Sequence, residues 1–428
     1  MESRFPHAVE GASGMRPSLA YRRLFAWLLL FGTVVMGPSG LDSQEPAKRE
    51  DSAFSGTAPS QLDVTHAIEQ AASYLEHKCD PTGRFVYKVD TGSTGQSSSY
   101  NIIRHAGAIY ALAMFYRSRK DSAALDAMVR AAEFLRRNYI RPGVRPDQQA
   151  VWSKPLAQHS NHQYHDAELG ATALGVVALA AVREARPEAI PLEQLQSLGR
   201  FLLFLQRDDG SFVSKYRLET GPVPNWESLY YPGEAALGLI ALYEADHSPV
   251  WLNSAAQSLA YLAKSRAGLT RVPADHWALI ATAELLRVCD PKTCPMSREE
   301  LVRHATQICE SLLRQQRSGS TMTLDGAFDS TGRTAPAATR LEGLLAAMEF
   351  LPKGELTTEI EAATARGVAF LLRAQIKSGP YAGGMPGAFF PEARGGSEIR
   401  IDYVQHALCA WLRYESVFQH ESHLDARH

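Results

Sequence analysis

The feature that most constrains the fold is a strict alternation, from residue 62 onward, between two kinds of helical segment. Six segments are amphipathic, with apolar residues at three- and four-residue spacing and charged residues on the opposite face. Six others are rich in Ala and Gly and apolar nearly all round, which is typical of buried helices. The amphipathic segments are 62–78, 121–138, 192–206, 251–265, 298–315 and 358–376.

This alternation predicts a double ring, in which six outer helices shield six inner helices that surround an axis. The joints leading from an outer to an inner helix are long and rich in Gly, Pro and aromatics, whereas the return joints are short. Long loops commonly carry function. We therefore predict an all-α fold, an (α/α)6 toroid of six helical hairpins with one elaborated face. The only strand-like stretch, residues 84–89, could form a short hairpin.

The beginning of the chain does not share this pattern. Arg22 and Arg23 precede an apolar run, residues 24–36, that rises only about 20 Å as a helix. A charged start, a short apolar run and small residues after it are typical of a secretory signal peptide, and an uncleaved anchor is the alternative. We expect a periplasmic or secreted protein, or one anchored in a membrane by this run. The predicted divisions are 1–40 signal peptide or anchor, 41–60 linker, 61–420 toroid and 421–428 tail.

Composition excludes other classes of partner. The 44 basic and 46 acidic side chains give a net charge of -2 without a basic stripe, which excludes an ordinary nucleic-acid binder. Five cysteines are too few for a disulfide scaffold. Cys289 and Cys294 either close a small loop as a disulfide or remain free thiols beside a turn. We expect a monomer whose only membrane contact is the N-terminal segment.

Short motifs that follow the outer helices carry a resemblance to known proteins. The clearest is Gln206-Arg-Asp-Asp-Gly210-Ser-Phe212, which resembles the Gln…Asp-Gly-Ser-aromatic repeat of terpenoid cyclases and their α/α-toroid relatives, the six-hairpin glycosidases among them. Weaker copies are Gly83-Arg-Phe85, Gln316 with Asp325-Gly-Ala-Phe328, and Gln375.

The resemblance implies the toroid architecture over residues 62–416 and does not identify a reaction. The chain lacks the Asp-x-Asp-Asp signature of squalene-type cyclases, the thioester motif of complement-type toroids and the zinc-ligand pattern of lanthionine cyclases. The toroids that remain are carbohydrate-active, and they comprise hydrolases, polysaccharide lyases and sugar epimerases.

One polar residue stands at the head of each inner apolar run, one per hairpin. Capping explains a glutamate in a first helical turn, and a single histidine is commonly a satisfied core residue. Three histidines in register fit neither explanation, and a polar side chain that opens an apolar helix needs a reason. We expect the six to converge in one cavity on the long-loop face. They are His105, Glu168, Glu234, His276, Glu342 and His406.

The neighbours of these six residues suit a sugar, because aromatic rings stack on pyranose faces while charged groups bind hydroxyls or a carboxylate. Converging helix N-termini also favour an anionic ligand. The candidate catalytic residues are Glu234, Asp166, His105, His406 and Asp402. The candidate substrate-binding residues are Tyr100, Asn101, Arg104, His165, Glu168, Trp226, Tyr231, His276, Arg340, Glu342 and Arg400.

Two chemistries lead among the possible reactions. Hydrolysis requires two carboxyl groups, and Glu234 is the predicted acid because burial would raise its pKa, with Asp166 or Asp402 as partner. Elimination or epimerisation requires a base beside a sugar C–H. The Tyr/Asn/Arg/His set around His105 is similar in kind to those of toroid polysaccharide lyases, and histidine pairs facing the axis are similar to sugar 2-epimerases.

We expect an exported carbohydrate-active enzyme, of glycoside hydrolase or polysaccharide lyase type, that acts on an oligo- or polysaccharide, an anionic one included. The alternatives are a sugar epimerase, a terpenoid-cyclase-like enzyme and a non-catalytic toroid that binds a glycan or peptide. No cofactor and no metal are expected. Three histidines with a glutamate could bind zinc, but the sequence has no H-E-x-x-H or comparable local spacing.

Overall fold

The computed structural model describes residues 59–92, 99–153, 166–290, 292, 294–318 and 322–425. The predicted signal or anchor segment, most of the linker, His165 and the end of the tail lie outside the described residues. No helix of the described part is both long and apolar enough to cross a membrane.

The two kinds of helix alternate in the order that the sequence predicts, which confirms the all-α toroid. The outer helices are α1 (Gln61–Lys78), α3 (Ser122–Tyr139), α5 (Leu192–Leu205), α7 (Pro249–Arg266), α9 (Arg298–Leu313) and α11 (Glu355–Ala374). The inner helices are α2 (Ile102–Arg119), α4 (Leu169–Ala185), α6 (Tyr231–Asp246), α8 (His276–Val288), α10 (Thr334–Met348) and α12 (Ile401–Asp425).

The inner helices form a closed ring, because each contacts the next inner helix and α12 contacts α2. Small residues allow this close packing. A Cβ atom added at Gly238 on α6 would lie 2.8 Å from the carbonyl oxygen of Ala173 on α4. The outer helices bury one face only, as α3 does with Ala124, Met128 and Leu135. Composition therefore decides which ring each helix joins.

The long loops contain short strands that pair with one another. β1 (Lys88–Asp90) pairs antiparallel with β7 (Glu398–Arg400), so the first and last loops of the ring are connected. The hairpin expected at residues 84–89 is therefore limited to one local antiparallel bridge, between Phe85 and Cys79, because ring closure supplies the partner of β1 from the other end of the chain. The remaining strands are β2 (Ile140–Pro142) paired with β3 (Gln149–Val151), and a sheet of β4 (Asp166–Glu168), β5 (Lys215–Arg217) and β6 (Gly221–Pro222).

The glycine motifs connect neighbouring outer helices. Nε2 of Gln206, at the end of α5, donates to the carbonyl oxygen of Ser254 on α7 at 2.9 Å. Gly210 has φ +87°, and a Cβ there would lie 2.4 Å from the carbonyl oxygen of Gln257. Only glycine fits this left-handed position against the next helix. The glutamine contact recurs for Gln316 with Ala363 and Gln375 with Ala67, and the glycine contact for Gly83, Gly326 and Gly383.

All five cysteines are free thiols in this structure. Of the two interpretations of Cys289 and Cys294, the structure therefore has the pair of thiols and not the disulfide.

Candidate functional site

Three of the six polar residues meet inside the inner ring. The nearest donor atoms of His276 on α8, Glu342 on α10 and His406 on α12 all lie within 4.8 Å of one another. The two imidazole rings stand edge to face with centroids 5.6 Å apart. Nδ1 of His406 lies 2.6 Å from Oε1 of Glu342, so these two groups are hydrogen-bonded. We call these three residues the axial cluster.

The axial cluster has polar atoms that nothing in the described part of the chain satisfies. His276 is 3% exposed and Glu342 is 0% exposed. Both ring nitrogens of His276 and Oε2 of Glu342 are buried without a hydrogen-bond partner among the described residues. Each such atom costs about 1–3 kcal/mol, which is tolerated where a ligand completes the site. Burial also lowers the pKa of His276 well below its ordinary value and raises that of Glu342.

Local sequence explains how His276 is placed. Asp275 caps α8, because its Oδ1 accepts the N–H of Ala278 at 3.1 Å. Its Oδ2 accepts from Arg266 at 2.6 Å, which fixes the carboxylate in a buried ion pair. Gly343 lets α10 come close, since a Cβ there would lie 3.0 Å from Cα of His276. The two helices therefore present His276 and Glu342 side by side.

A second group of polar side chains lies where α4 meets α6. Burial, together with the charges of Asp275 and Glu168, raises the pKa of Glu234 to about 8. Its Oε2 has no partner among the described residues. The hydroxyl of Tyr231 donates to Oε2 of Glu168 at 2.8 Å, and Nζ of Lys215 lies 3.1 Å from Oε1. Glu234 is therefore protonated near neutral pH, whereas Glu168 is held in an ion pair.

This second group adjoins the axial cluster. The ring of Tyr230, at the entry to α6, lies 5.4 Å from the ring of His276. A Cβ at Gly233 would lie 2.7 Å from the backbone nitrogen of Ala278, so the first turns of α6 and α8 are in direct contact. On the other side, Gly170 of α4 leaves the space that the Glu234 carboxyl group occupies.

Helix capping does not account for these carboxylates. Glu168 precedes α4, but its side chain makes no capping hydrogen bond. Glu342 lies in the third turn of α10, because that helix begins at Thr334 rather than beside the glutamate. His406 likewise lies in the second turn of α12. The expectation that all six residues stand at helix N-termini therefore fails for these two, although both face the interior of the ring.

The structure does not bring His105 to the axial cluster. Its ring lies between Phe85 and Phe134, with centroid distances of 5.1 and 5.3 Å. Nε2 donates to the carbonyl oxygen of Ala131 on α3 at 2.8 Å, and Nδ1 accepts from the hydroxyl of Tyr100 at 2.8 Å. Burial lowers its pKa to about 4. A neutral imidazole with both nitrogens engaged connects the inner ring to the outer ring.

Other predicted site residues are held by partners near the junction of the first and last hairpins. Asp402 accepts from Nε of Arg400 at 2.6 Å and lies 3.1 Å from Nε of Arg104. Asn101 caps α2, since its Oδ1 accepts the N–H of Arg104 at 3.2 Å. This group joins α2 to α12.

A further group of predicted residues lies around β4 and β5. Asp166 accepts from Nε of Arg217 at 2.7 Å. Nζ of Lys215 lies 4.0 Å above the ring of Trp226, which also packs 5.6 Å from Tyr231. These contacts form an aromatic and charged rim beside Glu168.

Arg340 differs from the other predicted arginines, because no carboxylate pairs with it in the described residues. It donates to the carbonyl oxygen of Pro336 at 2.8 Å and to Oε1 of Gln315 at 3.1 Å. Its charge is near enough to lower the pKa of His276, after burial and His406.

The candidate site residues predicted from the sequence do not include Lys215, Tyr230 and Gln405, although Tyr230 and Gln405 stand beside predicted residues in the chain. Nε2 of Gln405 lies 3.1 Å from Nδ1 of His406. A signal for Lys215 was present, since Asp166-x-Glu168 and Lys215-x-Arg217 have opposite charges at the same alternate spacing. Paired strands place such residues opposite each other, and Glu168 indeed faces Lys215.

Neither a protein-family model nor a curated protein sequence matches the chain. Solved structures do match. Cellobiose 2-epimerase from Spirochaeta thermophila has a TM-score of 0.63 at 15% identity, over 83% of this chain and 97% of that chain. D-mannose isomerase has a TM-score of 0.63 at 12% identity, over 83% and 98%.

A GH76 α-mannanase from Bacteroides thetaiotaomicron is also similar, with a TM-score of 0.57 at 12% identity over 83% of this chain and 97% of that chain. At such identities the similarity is one of fold, and it spans almost the whole of each enzyme. The chain therefore has the six-hairpin α/α-toroid architecture that these carbohydrate-active enzymes share.

Proposed function

We propose that this protein is a sugar epimerase or isomerase, in which His276 and His406 transfer a proton at the carbon next to a sugar carbonyl. The observation that carries the proposal is the pair of facing imidazoles inside the ring. Epimerisation requires one group to remove the proton and a second group to return it to the opposite face. Cellobiose 2-epimerase and D-mannose isomerase, both similar in fold, favour this chemistry over the hydrolase and lyase interpretations of the sequence.

In the proposed step one imidazole accepts the C2 proton of an open-chain aldose. The C–H electron pair forms the C1=C2 bond of an enediolate, and the carbonyl electrons move onto O1. The other ring, which enters the step as an imidazolium, then donates its extra proton to the opposite face of C2 for epimerisation. For isomerisation the O2–H proton passes to O1, C1 accepts the proton that the first imidazole removed, and O2 becomes the ketose carbonyl. In epimerisation O1 recovers the carbonyl as the new C–H bond forms, and the two rings have exchanged their protonation states, so charge is conserved.

Glu342 has a positioning role in this scheme. Its 2.6 Å contact with Nδ1 of His406 fixes the ring so that Nε2 faces away from the carboxylate. A carboxylate bonded to one ring nitrogen selects the tautomer and fixes the orientation of the ring. His276 needs no such partner, because its neutral ring already has two nitrogens without hydrogen bonds among the described residues.

A second candidate function is glycoside hydrolysis, which one observation favours. Glu234 has a pKa raised to about 8, while the neighbouring Glu168 is paired with Lys215. Two carboxyl groups kept in different protonation states are what glycoside hydrolysis requires. GH76 mannanases have a similar fold. In this case Glu234 would donate a proton to the leaving oxygen.

A product assay separates the two functions. The full chain would be incubated with glucose, mannose, cellobiose and α-1,6-mannotriose, and the products followed by NMR and by release of reducing ends. We expect an epimer or ketose and no new reducing ends. His276→Asn and His406→Asn should each reduce turnover by about 10²-fold or more, as loss of an acid–base group does.

Glu234→Gln keeps a hydrogen-bond donor but no transferable proton, so it should retain most of the epimerase turnover. New reducing ends that Glu234→Gln abolishes, with both histidine variants active, would contradict the proposal and establish the hydrolase. Absorbance of an unsaturated uronate from a polyuronate substrate would establish a lyase instead.

A further inference from the structure

We infer that His276, Glu342 and His406 also bind one divalent transition-metal ion, and that this ion competes with the sugar. Metal binding depends on the geometry of the three side chains alone. The competition rests on the proposed function, because it assumes that the sugar uses the same two imidazoles.

The donor set selects the class of ion. Two imidazole nitrogens and one carboxylate oxygen suit Zn²⁺, Co²⁺, Ni²⁺ and Cu²⁺, whereas Mg²⁺ and Ca²⁺ prefer oxygen ligands only. The three nearest donor atoms lie within 4.8 Å of one another. An ion with bonds of about 2 Å holds its ligands within roughly 4 Å of each other, so a movement of about 1 Å completes the site.

Unsatisfied atoms point to a ligand at this place. Neither nitrogen of His276 has a hydrogen-bond partner among the described residues, and the same is true of Oε2 of Glu342. His276 is therefore free of hydrogen bonds that would resist the small rotation that metal binding needs. Both residues are almost fully buried, so a bound ion would satisfy atoms that water does not reach in this conformation.

The two other buried histidines, His105 and His304, are not available to a metal ion in the way that His276 is. His105 has both nitrogens bonded, and Nε2 of His304 lies 3.4 Å from Nη1 of the Arg266 guanidinium. A cation beside Arg266 would be repelled, and a cation at His105 would have to break two hydrogen bonds. In the described residues the axial cluster alone has the ligand types and spacing of a metal site.

Metal binding would block the proposed proton transfer. A bound ion would use a nitrogen lone pair of His276 and would replace the contact between Nδ1 of His406 and Glu342. Neither ring would then be left in the state that the proposed transfer needs. Excess sugar should therefore weaken metal binding, and a chelator should restore turnover in protein that has been loaded with metal.

The test measures metal binding by the full chain, purified with EDTA and then freed of it. Co²⁺ would be titrated while its d–d absorption is followed, and Zn²⁺ by calorimetry. We expect one ion per chain, and at least a 100-fold loss of affinity in His276→Asn and in Glu342→Gln. His66→Gln, which removes an exposed histidine of α1, is the matched control and should bind as the wild type does.

A measurement on the wild type alone guards against variants that fail to fold. Proton NMR of the Co²⁺-loaded chain should show paramagnetically shifted ring signals from two histidines, and both should disappear when excess sugar is added. Absence of Co²⁺ and Zn²⁺ binding, or binding that both variants retain, would overturn the metal site. Turnover that increases with added metal would overturn the competition.

The experiments distinguish failure of the metal site from failure of the proposed function. If the metal-free chain converts sugars and binds no ion, the metal inference alone is lost. If it binds one ion through the axial cluster but converts no sugar, the proposed function is lost and the metal site stands.

Discussion

At the scale of single residues, the polar side chains of the inner helices differ in what completes their hydrogen bonds. His105 is satisfied by Tyr100 and Ala131, whereas His276 has no partner in the described residues. The same residue type therefore serves the scaffold at one position and is available for chemistry at another. Sequence places both at the head of an apolar run, so register alone could not separate them.

The structural role of His105 predicts a loss of stability rather than of chemistry. His105→Phe keeps the aromatic packing but leaves the O–H proton of Tyr100 without its acceptor and the Ala131 carbonyl without its donor, although the Tyr100 oxygen still accepts from the Phe85 N–H. We expect the free energy of unfolding to fall by about 2–4 kcal/mol, since each buried group left unpaired costs about 1–3 kcal/mol. Urea unfolding measures this, and turnover per folded molecule should be retained. Normal stability with lost turnover would place His105 at the chemistry instead.

The raised pKa of Glu234 predicts that the wild type and Glu234→Gln differ in stability by an amount that depends on pH. The pKa of its carboxyl group is about 8 in the folded chain, well above the ordinary value of 4.5. Its contribution to stability is therefore complete below about pH 4.5 and is lost as the pH rises through 8. The glutamine side chain of Glu234→Gln does not titrate. The melting temperature of Glu234→Gln should therefore exceed that of the wild type by an amount that increases with pH and reaches several degrees once the pH is above 8.

Thermal unfolding at pH 4.5, 6.5 and 8.5 measures this difference. Glu227→Gln, an exposed glutamate of the same loop, is the control and should show no growing difference. A constant offset between Glu234→Gln and the wild type across this range would show that the carboxyl group of Glu234 is not buried in its neutral form.

At the scale of elements, the repeated motif explains how one outer helix is fixed to the next. The glutamine at the helix end and the glycine of the following turn both contact backbone carbonyls of the next outer helix. The resemblance carried by Gln206 and Gly210 was therefore a reliable guide to architecture. It could not indicate a reaction, because the motif lies between outer helices and does not reach the interior of the ring.

Two glycines with the same backbone conformation test this explanation. Gly210 has φ +87° and touches the Gln257 carbonyl, whereas Gly268 has φ +75° with nothing within 4 Å of a Cβ. Gly268→Ala should lower the free energy of unfolding by about 1 kcal/mol, because an alanine is strained in the left-handed conformation but meets no neighbouring atom there. Gly210→Ala adds a steric overlap and should cost about 3 kcal/mol or more. Equal losses in denaturant unfolding would show that the contact with α7 does not matter.

Element boundaries were the weaker part of what sequence could predict. Glu342 and His406 were expected at helix starts, yet α10 and α12 begin earlier in the chain. Small residues around Pro336 continue the helix in the N-terminal direction because proline is tolerated in a first turn. The partner of β1 could not be predicted either, because it comes from more than three hundred residues away and depends on closure of the ring.

At the scale of the whole molecule, three features close the ring. Helix α12 packs against α2, β7 pairs with β1, and Nε2 of Gln375 donates to the carbonyl oxygen of Ala67 on α1 at 2.9 Å. Closure brings α8, α10 and α12 around a common interior, which is why His276 and His406 meet although 130 residues separate them. Alternating helix character was enough to predict this architecture.

The chemistry within the ring depends on side-chain directions that the helical period does not fix. Sequence named all three residues of the axial cluster but also grouped them with His105, Asp166 and Asp402, whose side chains are engaged elsewhere. Distinguishing them required the hydrogen-bond partner of each polar atom, and those partners come from neighbouring hairpins.

The central claim is that two facing imidazoles move a proton at a sugar carbon, and hydrogen exchange tests it most directly. The full chain would be incubated in D₂O with mannose, glucose or cellobiose, and the C2 proton followed by NMR. We expect deuterium to enter C2 of a convertible sugar, with exchange reduced about 10²-fold or more in His276→Asn and in His406→Asn. Exchange that persists in both variants, or conversion of the sugar with no deuterium in any product, would contradict the claim.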